Sequence, residues 1–543
     1  MFARIKKSGK YQYLQIVENH REGQKTIQRV IGTVGRLDCL KEKGDIEKLV
    51  RSLARYSEKV MLVLSGRSDV DVTAKKIGPS LIFERLWREL GIEGVIKELL
   101  VGRKFEFDVE RAIYLTVLNR LFVSGSDRFC DRWRRDYVIR GVEGISLHHV
   151  YRAMAWIGEE LADRSGTTSF APRCIKDRIE EGMFFSNRDL FTGLDVVFFD
   201  TTSIYFEGSG GRTLGRRGYS KDRRSDHNQM VVGVVLDDRG TPVCCEMWSG
   251  DTADVETLIP VTERIRGRFG AGRFCVVADR GMISKDTILK LEEPERNIPY
   301  ILGVRMRKVK EVNVDVLSRQ GRYREVEPEG KGHSPLKVKE VVSNGRRYIV
   351  CLNEREARKD ATTRQIIVES LKEKLKEGAG SLIGNKGYRR YIRVERDSIQ
   401  IDFEKISADE RFDGKWVLQT NTDLSAEKVA LKYKQLWEVE QAFRDIKSIL
   451  ETRPIFHQLD ETIRGHVFCS FLALVLRKEL FRRLEGAGNS FEWADIKQDL
   501  KMLQEMIIEE KGKSLAVRSK CMGACGKVFQ AVGVAVPPTI REV

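Results

Sequence analysis

Two aspartates that lie far apart in the sequence each follow an apolar run. Asp200 comes directly after the run at 196–199, and Asp279 follows the run at 274–278. Such runs predict buried strands, and open sheets place their ligand groups at the carboxyl ends of parallel strands. The two carboxylates therefore meet if their strands are neighbours, although each aspartate alone is equally an ordinary strand-end residue.

A third acid, Glu440, lies at 426–450, where apolar residues repeat with helical spacing. A helix here directs one stripe toward the core, formed by Leu436, Val439, Phe443, Ile446 and Leu450. The adjoining stripe holds Tyr433, Trp437, Glu440, Arg444 and Lys447. Glu440 is thus held at the edge of the core, where two roles are open: a chemical one, and a surface ion pair with Arg444 four residues on.

A basic segment at 211–224 follows Asp200 and contains six basic residues and one acid. Arg216, Arg217 and Lys221 belong to it, and its glycines give it freedom to bend. Next to Asp200 such a loop could clamp DNA. An unstructured surface loop has a similar composition.

The overall charge indicates a polyanionic partner. The 543 residues include 96 Lys and Arg against 80 Asp and Glu, a net charge of +16. Residues 301–400 hold 24 basic and 14 acidic side chains, whereas 401–500 hold 15 and 18. This segregation is expected if peripheral modules contact phosphates and the centre needs carboxylates. The alternative is that the charge serves only solubility.

The order of the elements predicts the fold that positions these residues. Strands at 195–200, 229–237 and 242–248 form a meander, and two strands at 274–279 and 299–304 alternate with helices. That order predicts an α/β protein with a mixed sheet and a ribonuclease-H-like core. We predict a basic N-terminal β-hairpin and linker at 1–74, a helical domain at 75–190 that is a candidate for DNA binding, the first part of the core at 191–304, a basic β-rich insertion domain at 305–414, the second part of the core at 415–480 and a C-terminal helical tail at 481–543.

Nothing in the sequence predicts a membrane segment or a disulfide scaffold. The longest apolar run, at 467–476, is too short to span a bilayer and is predicted to be a buried helix. The ten cysteines form no complete zinc pattern. With no signal peptide at the start, we expect a cytoplasmic protein with reduced thiols and no membrane partner.

The spacing Tyr433, two residues, Leu436, three residues, Glu440, six residues, Lys447 resembles a known signature. It is the Tyr-x2-Arg-x3-Glu-x6-Lys pattern of DDE transposases encoded by bacterial insertion sequences of the insertion-sequence-four superfamily. The resemblance extends from the N-terminal hairpin to about residue 480, through the ordered segments FFDTTSIYFEG, GYSKDRRSDHNQMVVGVVLD, SGDTADVETL, VVADRGMIS, WVLQTNTDLS and RPIFHQLDETIRGHVFCSFLALVL.

This resemblance implies that Asp200, Asp279 and Glu440 are the catalytic acids and hold two Mg²⁺ ions, for which Mn²⁺ can substitute. Two such ions stabilise the attacking and leaving oxygens of a phosphodiester, and they prefer hard oxygen ligands. Tyr433 and Lys447 are then expected to approach DNA phosphates, unless they form a solvated helix face.

One residue departs from the signature, because Leu436 stands where the wider family has Arg. The resemblance implies that this position helps to hold DNA phosphate near the active site. Arg444, on the adjoining stripe of the helix, is the candidate to replace that contact.

The implied function is transposition. The protein would bind the terminal inverted repeats of its own element, cleave DNA with divalent metal and transfer 3′-OH ends to target DNA, as a homodimer in a synaptic complex. The alternatives are a DNA-binding derivative without activity and a ribonuclease-H-like nuclease. His457 and His466 have no Cys partners, and we interpret them as packing or DNA-contact residues rather than zinc ligands.

Overall fold

The computed structural model describes residues 1–22, 25–54, 71–123, 125–163, 171–187, 194–326, 336–377, 386–395, 398–510 and 513–542. The chain forms two units. The first holds residues 1–73, 507–516 and 541–543, and the second holds residues 74–506 and 517–540. In the ranges just given, no helix combines the length and the apolar character needed to cross a membrane.

The strands, numbered along the chain, are β1 Phe2–Ser8, β2 Tyr11–Glu22, β3 Lys25–Arg36, β4 Asp71–Lys76, β5 Val196–Tyr205, β6 Gln229–Asp237, β7 Pro242–Ser249, β8 Cys275–Ala278, β9 Tyr300–Val304, β10 Arg324–Val326, β11 Leu336–Ser343, β12 Arg346–Leu352, β13 Ile392–Glu395, β14 Ser398–Ile401, β15 Lys415–Thr420, β16 Gln504–Glu510, β17 Lys513–Arg518 and β18 Ile540–Glu542.

The α-helices are Leu37–Glu42, Asp45–Ala54, Gly78–Glu89, Ile92–Leu99, Val109–Phe122, Asp127–Trp133, Leu147–Ile157, Ile175–Ser186, Asp254–Phe269, Lys285–Glu292, Glu354–Glu377, Lys386–Arg389, Phe403–Glu410, Ala426–Lys434, Trp437–Arg444, Asp460–Gly486, Trp493–Met502 and Cys525–Val532.

The first unit begins with a three-stranded antiparallel sheet in the order β1, β2, β3. Its strands β2 and β3 are the two arms of the predicted hairpin, each twelve residues long. β1 pairs with β2 from Phe2 opposite Val17 to Ser8 opposite Tyr11.

The second unit is built around a nine-stranded mixed sheet in the order β10, β11, β12, β15, β9, β8, β5, β6, β7. β5, β8 and β9 are parallel neighbours, whereas β6 and β7 continue antiparallel from β5. The predicted meander and the predicted parallel portion are both present. Since β5 has a neighbour on each side, it lies inside the sheet.

Both faces of the central strands are buried, which explains their continuous apolar runs. Phe198 belongs to a large core that includes the helices of residues 78–186 and the helix Asp460–Gly486. Val197 and Phe199 point to the other side, into a core covered by the helix Asp254–Phe269. The run at 467–476 lies inside Asp460–Gly486 and is buried, as predicted.

Two parts of the chain differ from the prediction. In the segment predicted as an insertion domain, β10, β11 and β12 belong to the main sheet. They join it because β12 pairs antiparallel with β15. The remainder of that segment packs a small core of its own around Leu371 and Tyr391. The tail predicted as helical also contains the strands β16, β17 and β18.

Candidate active site

Strand pairing places Asp200 next to Asp279. In the parallel pair β5 and β8, Phe199 lies opposite Ala278, so the residues that follow them stand side by side. β8 ends at Ala278, and Asp279 is the first residue beyond it. The two strands are neighbours, which is the condition under which the two carboxylates meet.

The expectation that the strand ends at Asp200 is wrong. β5 continues for five more residues to Tyr205, because β6 remains its antiparallel partner beyond the end of β8. The small polar residues after Asp200 are consequently buried in the sheet. Their hydroxyls find partners: Thr201 Oγ1 donates to Asp254, and Ser203 Oγ accepts from the backbone N–H of Lys221.

A fourth carboxylate, Asp254, lies in the same cluster. It is the first residue of the helix Asp254–Phe269, and its Oδ1 accepts a hydrogen bond from Thr201 Oγ1 at 2.6 Å. Its Oδ2 lies 3.0 Å from Lys221 Nζ. The Lys221 ammonium also donates to Thr201 O at 2.7 Å and to Thr201 Oγ1 at 2.9 Å.

Asp254 has no distinguishing signal in the sequence pattern. An acid in the first turn of a helix is favoured by the helix dipole alone, so its type and place carry no catalytic signal. The available signal was its position in SGDTADVETL, directly after the meander that carries Asp200.

The carboxylates form an electronegative cluster. Burial raises the pKa of Asp200 to about 6, although the charge of Lys221 and a hydrogen bond from Thr201 N to Asp200 Oδ1 at 2.7 Å lower it. The negative charges of Asp279 and Asp254 raise that pKa further. The site thus concentrates more negative charge than its own cation offsets, which is the electrostatic setting that favours a divalent cation.

Tyr433 fixes the second aspartate. Its hydroxyl donates to Asp279 Oδ1 at 3.0 Å, and burial raises the pKa of Tyr433 well above its usual range, so the hydroxyl stays protonated. Space for the hydroxyl exists because residue 303 is glycine: a Cβ there would lie 2.2 Å from Tyr433 Oη. In this structure Tyr433 holds a candidate catalytic acid, a contact that the sequence did not indicate.

Glu440 faces the same cavity as Asp279. It lies on the helix Trp437–Arg444, which packs against β5 and β6, and its side chain is exposed. The cavity measures about 250 Å³ and is lined by Asp279, Leu336, Asn353, Trp416, Tyr433, Lys434, Leu436, Trp437 and Glu440. Of the three predicted acids, Asp279 is the one in common: it lies beside Asp200 and shares a cavity with Glu440.

The helix predicted at 426–450 is interrupted. It consists of Ala426–Lys434, Trp437–Arg444 and a π-helical turn at Asp445–Ile449. At the first break the hydrogen bonds shorten to i→i−3 spacing, with Leu436 N donating to Tyr433 O and Glu438 N to Gln435 O. The predicted core stripe is nevertheless confirmed, since all five of its residues are buried.

Leu436 and Arg444, the two positions connected with the signature Arg, differ in exposure. Leu436 is buried and lines the cavity. Arg444 is exposed and donates to Gln441 Oε1 at 3.2 Å. Over the residues with described side chains, Arg444 forms no ion pair with Glu440, so the surface-pair interpretation of Glu440 finds no support.

Lys447 is not on a solvated face. Its side chain is 11 % exposed, and its Nζ donates to Asp222 Oδ1 at 2.8 Å. Burial lowers the pKa of Lys447, while Asp222 raises it. Arg453 forms an ion pair with the same Asp222 oxygen. The solvated alternative is thus wrong for Lys447.

The basic segment at 211–224 is ordered by specific contacts. Arg216 exchanges two backbone hydrogen bonds with Gln229 at the start of β6, and its guanidinium donates to Gly215 O and Arg212 O. Lys221 is bound to Thr201 and Ser203 of β5, and Arg217 is exposed. The interpretation as an unstructured loop is therefore wrong.

His457 and His466 form a cluster with Asp127, in which one ligand atom of each residue lies within 4.8 Å of the others. Arg120, 346 positions from His466, has its guanidinium 2.9 Å from His466 Nδ1. The other ring nitrogen of His466 lies 3.1 Å from Thr452 O. A metal would have to displace a permanently charged guanidinium, so the cluster is a packed hydrogen-bond network.

Comparison with known proteins places the chain in a family. A model described as transposase DDE domain matches residues 192–476, and a model of the N-terminal domain of IS1634 family transposases matches residues 3–67. No curated protein matches the chain. Among solved structures, the cryo-EM structure of a piggyBac transposase synaptic complex with hairpin DNA is 11% identical, with a TM-score of 0.38, over 78% of this chain and 79% of that one.

The DDE-domain match spans more than half of the chain and encloses all three predicted acids. The strands that carry Asp200 and Asp279 and the helix that carries Glu440 lie within it. The chain belongs to the DDE transposases of bacterial insertion sequences.

Proposed function

We propose that this transposase binds the terminal inverted repeats of its insertion sequence, cleaves DNA with divalent metal held by Asp200, Asp279 and Glu440, and transfers the freed 3′-OH ends to target DNA. The observation that carries the proposal is the placement of Asp279, which stands beside Asp200 through strand pairing and shares a cavity with Glu440.

The residues present fit a hard divalent cation. All three donors are carboxylates, the ligand type that Mg²⁺ prefers. Burial is the main cause of the raised pKa of Asp200, and the charges of Asp279 and Asp254, which raise it further, are charges that a cation would offset. When bound, two Mg²⁺ ions, or Mn²⁺ in their place, would stabilise the charge that develops on the attacking and leaving oxygens of the phosphodiester.

The chain's own residues orient these ligands. The Thr201 amide holds Asp200 Oδ1, and the Tyr433 hydroxyl holds Asp279 Oδ1. Both aspartates are carried by adjacent strands buried on both faces, so their relative position is set by the sheet rather than by a loop. Glu440 approaches from the helix packed on β5.

We infer that the core is ribonuclease-H-like. The order β7, β6, β5, β8, β9, with β5, β8 and β9 parallel and β6 antiparallel, supports this assignment. In this arrangement β10, β11, β12 and β15 are additions beyond β9. The helices of residues 78–186 remain the candidate DNA-binding domain.

DNA contacts are proposed for Lys221, Arg216, Arg217, Arg444 and Lys447, with Tyr433 near the scissile phosphate. Arg217 and Arg444 are exposed and available. Lys447 would exchange Asp222 for a phosphate, since its ammonium is already ion-paired. We also propose that two copies act in the synaptic complex, which mass measurement of the protein on paired terminal-repeat ends tests directly.

Glu440→Gln tests the metal centre, with Glu438→Gln as the matched control. Glu438 is on the same helix but lines a different cavity, with Lys478 and Glu485. We expect Glu440→Gln to lower Mg²⁺-dependent nicking of terminal-repeat DNA by about 100-fold or more, because it removes a transition-state contribution. Chelation of the metal should abolish nicking by the parent protein.

DNA affinity in a gel-shift titration should be unchanged in both variants, and nicking by Glu438→Gln should stay near the parent rate. Near-parental nicking by Glu440→Gln would remove Glu440 from the active site. Absence of nicking in the parent would instead favour a derivative that binds DNA without cleaving it.

A further inference from the structure

We propose that Asp254 is a positioning residue of the active site: it holds the Lys221 ammonium on Thr201 and thereby keeps this cation off the Asp200 carboxylate. The inference rests on the proposed function, because it takes Asp200 as a metal ligand. Thr201 contacts Asp200, Asp254 and Lys221, and this network includes none of the signature residues on the helix of Glu440.

The Lys221 ammonium is fully provided with hydrogen-bond acceptors. An ammonium has three N–H donors, and Lys221 Nζ has three acceptors: Thr201 O at 2.7 Å, Thr201 Oγ1 at 2.9 Å and Asp254 Oδ2 at 3.0 Å. Only Asp254 among these acceptors carries a charge. Asp254 therefore provides the electrostatic attraction that sets the position of the ammonium.

Thr201 contacts both Asp200 and Asp254. The Thr201 amide donates to Asp200 Oδ1 at 2.7 Å, while its hydroxyl donates to Asp254 Oδ1 at 2.6 Å. The two carboxylates thus flank one residue, and Lys221 is bound toward Asp254. The backbone N–H of Lys221 donates to Ser203 Oγ at 2.9 Å, which keeps the lysine from withdrawing.

Loss of the Asp254 charge has a definite consequence in this geometry. The ammonium would turn toward the remaining nearby carboxylate, Asp200, whose charge already interacts with Lys221. An ammonium paired with Asp200 competes with a metal for the same oxygen atoms. Removing Lys221 as well would eliminate this competitor, so the effect of the first change should be reversed by the second.

Binding of Mn²⁺ to the full-length protein, followed by electron paramagnetic resonance without DNA, tests the inference. The variants are Asp254→Asn, Lys221→Met and the double variant. Asp251→Asn is the matched control, since Asp251 accepts a hydrogen bond from Ser249 and, among the hydrogen bonds and ion pairs of the described residues, is not a partner of Lys221. We expect Asp254→Asn to weaken Mn²⁺ binding about tenfold or more, as for other residues that orient a metal ligand.

Lys221→Met should bind Mn²⁺ at least as tightly as the parent, Asp251→Asn should match the parent, and the double variant should regain binding to within about threefold of the parent. Unchanged binding in Asp254→Asn overturns the inference. A double variant as weak as Asp254→Asn also overturns it, because Asp254 would then act as a ligand or through the fold.

Mn²⁺ binding by Asp200→Asn distinguishes failure of the proposed function from failure of this inference. If Asp200→Asn binds Mn²⁺ as tightly as the parent, Asp200 is not a ligand, and both the metal centre and the inference built on it are overturned. Loss of binding in Asp200→Asn together with parental binding in Asp254→Asn overturns the inference alone.

Discussion

At the scale of single residues, Lys447 shows how one buried contact changes the expected effect of a substitution. Lys447→Ala would leave the Asp222 carboxylate with Arg453, although the second Asp222 oxygen is already buried without a hydrogen-bond partner in the described structure. We expect a loss of about 1–3 kcal/mol in the free energy of unfolding, measured by urea titration. Arg444→Ala, an exposed control, should change it by less than about 0.5 kcal/mol.

An equal loss of stability in the two variants would contradict the buried pair. The sequence pattern leaves Lys447 two roles, a phosphate contact or a place on a solvated helix face, and neither predicts this loss of stability. Its partner Asp222 lies 225 positions away, and helical periodicity carries no information about such a contact.

Gly303 provides a second test at this scale. Gly303→Ala would place a Cβ 2.2 Å from Tyr433 Oη and so displace the hydroxyl that holds Asp279. We expect nicking to fall about 10- to 100-fold, the range for residues that orient a metal ligand, with DNA affinity retained. Gly267→Ala, whose Cβ meets nothing within 4 Å, is the control and should nick normally.

At the scale of elements, buried charges connect the helix Ile175–Ser186 to β7 and to the helix Asp254–Phe269. Arg268 contacts four carboxylates, those of Asp177, Glu180, Glu181 and Glu246. Arg268→Met would leave buried acids with too few cations, and we expect a loss of about 3–5 kcal/mol in the free energy of unfolding. Arg273→Met, at an exposed position after the same helix, should have little effect.

Thermal unfolding of both variants measures the difference. A shift in Arg268→Met no larger than that in Arg273→Met would mean that the network contributes little to holding this helix on the sheet. Hydrogen exchange localised to Ile175–Ser186 would show whether this helix is the element that is released.

Element types were predictable from local pattern, whereas several boundaries and pairings were not. The apolar run of β6 predicted its bounds, 229–237, because the strand is buried on both faces. The continuation of β5 past Asp200 depends on β6 as a partner, and the extension of the sheet by β12 depends on β15. Such partners are set by tertiary pairing, which the residue pattern of a single segment does not contain.

The candidate site was predictable to a similar extent. Asp200 and Asp279 were found because strand-end acids have a meaning in parallel sheets, and Glu440 was found through the family signature. Asp254 was missed because the helix dipole explains an acid at that position without any chemistry.

At the scale of the whole molecule, the net charge of +16 leads to a prediction about ionic strength. We expect DNA affinity to fall steeply with salt, with a slope of about −0.9 in log–log form for each phosphate neutralised. Gel-shift titrations from low to physiological salt measure this slope. A flat dependence would contradict a binding mode dominated by phosphate contacts.

The ion pairs of Asp222 bear on how that slope is to be interpreted. Lys447 and Arg453 share the single negative charge of Asp222 before any DNA arrives. A phosphate that takes the place of Asp222 on these two cations frees the Asp222 carboxylate. That carboxylate then attracts cations from solution while the DNA releases its own counterions. The counterions released on binding are then fewer than the phosphates in contact with the protein, so the measured slope gives a lower bound on the number of contacts rather than a count of them.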